Sequence, residues 1–159
     1  MDKLSHYDAE GSAHMVDVSA KESTRREAEA SAFVVLSDAV LAALPKNPKG
    51  NPLEVARFAG IQAAKRTAEL IPMCHPVLVG SIGVNFSIGD DYVEVEAQVE
   101  TVDRTGVEME AMTACAVAAL TVYDMCKSAD RTMTVEQLAL WEKSGGRSGP
   151  WRRPESNHL

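Results

Sequence analysis

The run from Gly106 to Lys127, GVEMEAMTACAVAALTVYDMCK, constrains the fold of this chain more than any other stretch. Its interior is small and apolar, helix formers dominate it, and neither Pro nor Gly interrupts it after Gly106. The charges gather at its ends, with Glu108 and Glu110 at the start and Asp124 and Lys127 at the finish. An ordinary amphipathic helix would carry charge along one whole face. Read as one helix, the run sets Glu110 and Asp124 on roughly one side and about 21 Å apart along the axis. No small substrate bridges that distance within one subunit. If both ends do chemistry, the helix serves two sites or two subunits bring opposite ends together.

The rest of the chain bounds what this helix belongs to. A length of 159 residues fits one domain with a core of its own, and flexible ends are expected over about 1–12 and 150–159. A net charge of −7 argues against a phosphate-backbone binder, and 5% aromatic residues against base stacking, so no nucleic-acid partner is expected. A small anionic substrate remains compatible, because a local cluster of Lys and Arg makes a positive pocket in an acidic protein. The three cysteines, Cys74, Cys115 and Cys126, fit neither a disulfide framework nor a structural zinc site. The first residues lack the apolar core of a signal peptide, and no segment is read as a membrane span, so a cytoplasmic protein is expected.

The element pattern predicts α+β architecture. Met15 to Val18 alternates as a short strand. Thr24 and Glu27 form a capping-box pattern ahead of an amphipathic helix through Leu44, and Asn51-Pro52 starts a second helix running to Leu70. Val77 to Ile88 is β-rich, and Gly89-Asp90-Asp91 supplies a turn. Tyr92 to Val102 then alternates, with Val93, Val95, Ala97 and Val99 on one face and Glu94, Glu96, Gln98 and Glu100 on the other. The long helix follows, and a last strand falls between Thr132 and Lys143, where EQLALWEK also fits a helix. The order β-α-α-β-β-α-β contains a split βαβ unit. It predicts a ferredoxin-like antiparallel sheet with helices on one face and the other face open to oligomer contacts.

Several groups could carry chemistry. Met73-Cys74-His75 is bracketed by Pro72 and Pro76, which restrict its backbone; His75 is a proton carrier, a substrate ligand or a packed loop histidine. Glu108 and Glu110 are favoured by the helix dipole alone, and either could face a pocket. Asp124 and Lys127, one turn apart, are a surface ion pair or an acid/base pair. Lys21, Arg25, Arg26, Lys49, Lys143 and Arg147 are scattered over loops and caps. KSGGRSG (Lys143 to Gly149) has the composition of an anion-gripping loop but not the spacing of a P-loop.

Six blocks together resemble one family: AHMVDVSAK (from Ala13), AGIQAAKRT (from Ala59), LIPMCHP (from Leu70), TGVEMEAMTA (from Thr105), ALTVYDMCK (from Ala119) and KSGGRSG. The chain resembles the cyclic pyranopterin monophosphate synthases of molybdenum cofactor biosynthesis over roughly Gly11 to Gly149. The resemblance implies conversion of 3′,8-cyclo-7,8-dihydroguanosine triphosphate to cyclic pyranopterin monophosphate, with release of pyrophosphate. It implies Asp124 and Lys127 as catalytic residues, and Met73, Cys74, His75, Glu108, Met109, Glu110, Arg26, Lys49 and Lys143 as substrate-binding. It also implies a homohexamer, a trimer of dimers with pockets between subunits, no protein metal site and no cofactor beyond magnesium that can accompany the triphosphate.

Two departures stand out. Arg147 replaces the lysine usual at the second cation of the glycine-rich loop, and the tail from Pro150 matches nothing. Competing readings are a non-catalytic ferredoxin-like nucleotide-binding module, a structural oligomer-forming subunit, or a different nucleotide cyclase or cyclohydrolase.

Overall fold

The computed structural model describes residues 6–154 of the chain. Its elements are β1 (Thr24–Val35), α1 (Asp38–Ala43), a 3₁₀ turn (Leu44–Lys46), α2 (Pro52–Lys65), α3 (Thr67–Leu70), β2 (Val79–Ile88), β3 (Tyr92–Asp103), α4 (Glu108–Cys126), β4 (Thr134–Ser144) and β5 (Trp151–Arg152). The strands form one antiparallel sheet in the order β2-β3-β1-β4-β5. Both helical crossovers skip one strand: β3 lies between β1 and β2, and β1 lies between β3 and β4. That is the split βαβ arrangement expected above, extended by β5. The helical layer covers one face, with α4 against β1 and β3 and α2 packed on α4.

Small residues set how closely the layers approach. Ala28, Ala30, Ala32 and Val34 of β1 and Val93, Val95, Ala97 and Val99 of β3 point to the helices, and all are at most 4% exposed. They meet Ala111, Ala114, Cys115, Ala118, Ala119 and Val122 of α4 in one core. Each fully buried valine contributes about 1.5–3 kcal/mol over its exposed state. Gly60 of α2 completes the seam: a Cβ there would sit 3.0 Å from the Ala114 carbonyl and 3.2 Å from both Ala118 Cβ and Val84 Cγ2. By length and composition α4 is apolar enough to cross a membrane. Its burial is that of a core helix, packed between α2 and the sheet.

The structure corrects the start of the chain. Met15 to Val18 is not a strand. The helix expected from Thr24 to Leu44 is instead β1 followed by the short α1. Ala, Glu and Arg favour helix locally, but β1 pairs with β3 over its whole length and with β4 beyond it, and this tertiary pairing overrides propensity. The hydroxyl of Thr24 makes no cap; it is buried without a partner. The second helix breaks at Arg66, because the Thr67 hydroxyl donates to the carbonyls of Ala63 (3.0 Å) and Ala64 (3.2 Å).

The ends expected to be flexible carry local structure where they are described. Tyr7 and Ala13 form an isolated bridge, and β5 pairs with β4 through Trp151–Lys143 and Arg152–Glu142. Residues 1–5 and 155–159 of those ends lie outside the described residues.

Candidate active site

The N-terminus of α4 opens a cavity of about 250 Å³. Its first wall is the loop Met73-Cys74-His75, which leaves α3 where Pro72 ends the helix. This loop is tied back to the sheet: the Leu78 N–H donates to the Asp103 carboxylate (3.2 Å), and the Thr101 hydroxyl donates to the Leu78 carbonyl. The second wall is Thr105, Gly106 and the first turn of α4, with Glu108, Met109 and Glu110. The third comes from the segment before β1, through His6, Val16, Val18 and Lys21. The structure therefore brings together six of the expected site residues: Met73, Cys74, His75, Glu108, Met109 and Glu110.

Glu110 is 4% exposed. Burial, reinforced by the charge of Glu108, pushes its pKa up to about 7. A carboxyl so placed exchanges its proton near neutral pH, which suits general acid or base work. The Cys74 thiol is raised by partial burial and by the same two glutamates, so it stays protonated. Glu110 also lines an adjoining cavity of about 180 Å³ between Lys65, Arg66 and Glu69 on one side and Pro76 and Val77 on the other.

A second cluster stands at the other end of α4. Lys127 Nζ lies 2.9 Å from Asp124 Oδ1, and the hydrogen bond and charge of Lys127 hold Asp124 below the usual carboxylate range. Lys49 adds to that field. The linker delivers Lys49 there because Asn47 Nδ2 donates to the Met125 carbonyl (2.6 Å) while Asn47 Oδ1 accepts from the Lys49 N–H (2.9 Å). Asp124 and Lys49 are exposed, in contrast with Glu110.

A third cluster lies where β1 begins and β4 ends. Arg26 is 7% exposed and donates from Nε and Nη2 to the carbonyls of Asp103 (3.2 Å) and Arg104 (3.3 Å). Gly145 and Gly146, both at positive φ, pack directly on the Arg25 carbonyl and the Arg26 guanidinium, where a Cβ would clash. Lys143 Nζ contacts the Ser148 hydroxyl within the same loop. Arg26 thus ties the glycine-rich loop to the segment that enters α4. None of Arg26, Lys49 and Lys143 lines the cavity at the start of α4.

A further cavity of about 550 Å³ lies on the open face of the sheet, with Lys143, one of the expected site residues, and Arg152 in its lining. Glu27, Glu29, Glu100 and Glu142 line it, and burial together with neighbouring Glu142 raises the Glu29 carboxyl.

Two anion-compatible clusters on one helix, each with an acid beside a His or Lys, describe an enzyme without naming one. Comparison with known proteins decides the lineage, for residues 15–146 match the model of the MoaC family. The chain belongs to the MoaC family. It is 54% identical over 159 residues to the cyclic pyranopterin monophosphate synthase of Thermomicrobium roseum, covering 98% of this chain and 96% of that one. The protein of that name from Chloroflexus aggregans is 52% identical over 160 residues, with 98% and 97% covered. That of Streptomyces avermitilis is 51% identical over 154 residues, with 96% and 91% covered.

Every site residue expected from the sequence falls inside the part matched to the MoaC family. Sequence reading did not assign Lys21, Val16 or Val18 to the pocket. Their signal was present in the block AHMVDVSAK, where Val16 and Val18 alternate with Asp17, but the alternation serves a pocket wall rather than a sheet.

Proposed function

We propose that this member of the MoaC family is a cyclic pyranopterin monophosphate synthase. It converts 3′,8-cyclo-7,8-dihydroguanosine triphosphate to cyclic pyranopterin monophosphate and pyrophosphate in molybdenum cofactor biosynthesis. The observation that carries the reading is the polarity of α4: a buried, proton-exchanging Glu110 at its start and an ionised Asp124–Lys127 pair at its finish. The cavity at the start, about 250 Å³, is smaller than the range of about 300–1,000 Å³ that ligand pockets span, so it encloses only part of a nucleoside triphosphate. The remaining contacts come from a neighbouring copy, whose Asp124, Lys127 and Lys49 complete the site. The assembly is a homohexamer, a trimer of dimers with active sites between subunits.

In the step that makes the cyclic phosphate, a sugar hydroxyl oxygen attacks the α-phosphorus. A new P–O bond forms, the bond to the bridging oxygen breaks, and pyrophosphate leaves with its electron pair. The hydroxyl proton passes to a base. Asp124, paired with Lys127, is that base, while Lys127 and Lys49 offset charge building on the phosphates. Glu110 and His75 hold the purine portion and move protons while the ring is reshaped. Magnesium enters with the triphosphate, and the cytoplasm is the compartment. The test is turnover of the cyclised nucleotide, followed by pyrophosphate release and pterin fluorescence. A non-catalytic nucleotide-binding module would bind that nucleotide and release nothing.

A further inference from the structure

Between residues 6 and 21 the chain is exposed except at His6, Val16, Val18 and Lys21, and these four line the cavity at the start of α4. The hydrogen bonds that shape this segment are local. Asp8 Oδ1 accepts from the N–H groups of Glu10 (3.0 Å) and Ser12 (2.8 Å), and the His14 N–H donates to the His6 carbonyl (2.7 Å). Asp17 Oδ1 accepts from the Ser19 hydroxyl (2.6 Å) and N–H (2.9 Å). The segment therefore rests on the body mainly through two valines and through charge, including the weak field between Asp17 and His75. Such a unit opens at low cost.

Lys21 is the one Lys or Arg among the described residues lining this cavity, which it shares with two acids, Glu108 and Glu110. Without it, no Lys or Arg among the described residues lining the cavity would be there to meet a phosphate. We propose that Lys21 is a substrate-holding residue, carried by a strap, 6–21, that closes on a phosphate-bearing ligand. Lys21 offsets the two glutamates when the pocket is empty and binds phosphate oxygen when it is filled, so ligand binding and strap docking are coupled. The inference rests on the proposed nucleotide substrate.

The experiment compares the full-length protein with Lys21→Ala and Lys21→Arg. Steady-state turnover of the cyclised nucleotide is measured, together with amide hydrogen exchange of 16–21 with and without inorganic pyrophosphate. Loss of one charge-assisted contact should raise KM in Lys21→Ala about tenfold to hundredfold with kcat within about threefold, and Lys21→Arg should recover most of it. Pyrophosphate should slow exchange of 16–21 in the wild type and not in Lys21→Ala. An unchanged KM in Lys21→Ala, or exchange indifferent to pyrophosphate in the wild type, overturns the proposal. If Lys21→Ala fails to fold, Lys21→Met keeps the apolar stem and is judged by the same criteria. A wild type that makes no pterin would overturn the proposed function instead, and pyrophosphate-dependent exchange would still decide the role of Lys21.

Discussion

Glu110 and Asp124 stand at opposite ends of one unbroken helix, about 21 Å apart, the first buried and the second exposed. Their environments drive them in opposite directions: burial keeps the proton on Glu110 to about pH 7, while Lys127 holds Asp124 below the usual carboxylate range. Two carboxylates with separated pKa values make a natural acid and base. Within one chain they cannot meet over a common ligand.

Replacing Asp124 by Asn should abolish pterin formation, by about a hundredfold to ten-thousandfold in kcat, the range for loss of a general base. Lys127→Ala should do the same through loss of the cation that offsets charge on the phosphates beside Asp124. Both side chains are largely exposed, 64% and 44%, so the melting temperature should hardly move. Turnover by Asp124→Asn at the wild-type rate would remove it from the mechanism.

Glu110 makes stability depend on pH in a defined window. Its carboxyl titrates near 4.5 in the unfolded chain and near 7 in the folded protein. The folded state therefore holds the proton more tightly. That contribution is full below pH 4.5, falls as pH rises toward 7, and is gone above it. The loss is on the order of 3 kcal/mol across the window. Glu110→Gln should gain on the wild type by about this amount between pH 5 and pH 7.5, read from urea midpoints at fixed protomer concentration. Parallel curves for the two proteins would show that Glu110 is ionised throughout.

Much of this arrangement is legible in the residues. The clean alternation of Tyr92 to Val102 gives β3, and the uncapped, uninterrupted run after Gly106 gives α4. The β1 stretch was misread because Ala and Glu prefer helix in isolation. Its inward Ala28, Ala30 and Ala32 are small for a reason visible only with α4 in place, which needs close approach. The meeting of Cys74 and His75 with Glu108 and Glu110 depends on the Leu78–Asp103 tie between segments far apart in sequence, and no local pattern reports it. The resemblance makes Arg26 substrate-binding, and only the folded chain shows that two of its guanidinium nitrogens also donate to backbone carbonyls.

The thiols should separate by accessibility. Cys115 is fully buried, its pKa pushed up to about 12, with Sγ against the Val95 carbonyl at 3.8 Å. Cys126 is 3% exposed, and Cys74 is only partly covered. A disulfide reagent should therefore titrate one thiol per native chain, slowly, and three in denaturant. Pyrophosphate or substrate should slow that single reaction, because Cys74 lines the pocket. Mass spectrometry of the labelled peptide checks the assignment, and label on Cys115 in the native protein would contradict the packing.

Arg26 should matter for stability first. Arg26→Ala removes a donor from each of the Asp103 and Arg104 carbonyls and opens space beside Gly146, at a cost of about 2–4 kcal/mol in denaturant unfolding. Arg26→Lys should recover little, since an ammonium cannot reproduce the two-nitrogen fork. A loss below about 0.5 kcal/mol, the scale of an ordinary surface substitution, would mean that the buried guanidinium contributes no net stability.

The claim that one site draws Glu110 from one chain and Asp124 from another is tested most directly by mixing two dead variants. Glu110→Gln and Asp124→Asn are each inactive, and they are unfolded together and refolded as mixed oligomers. Each mixed pair then holds one intact site and one doubly damaged site, so turnover should return to about a quarter of the wild-type rate. If each site is built within a single chain, every site in the mixture carries one lesion, and the mixture stays as inactive as its parents.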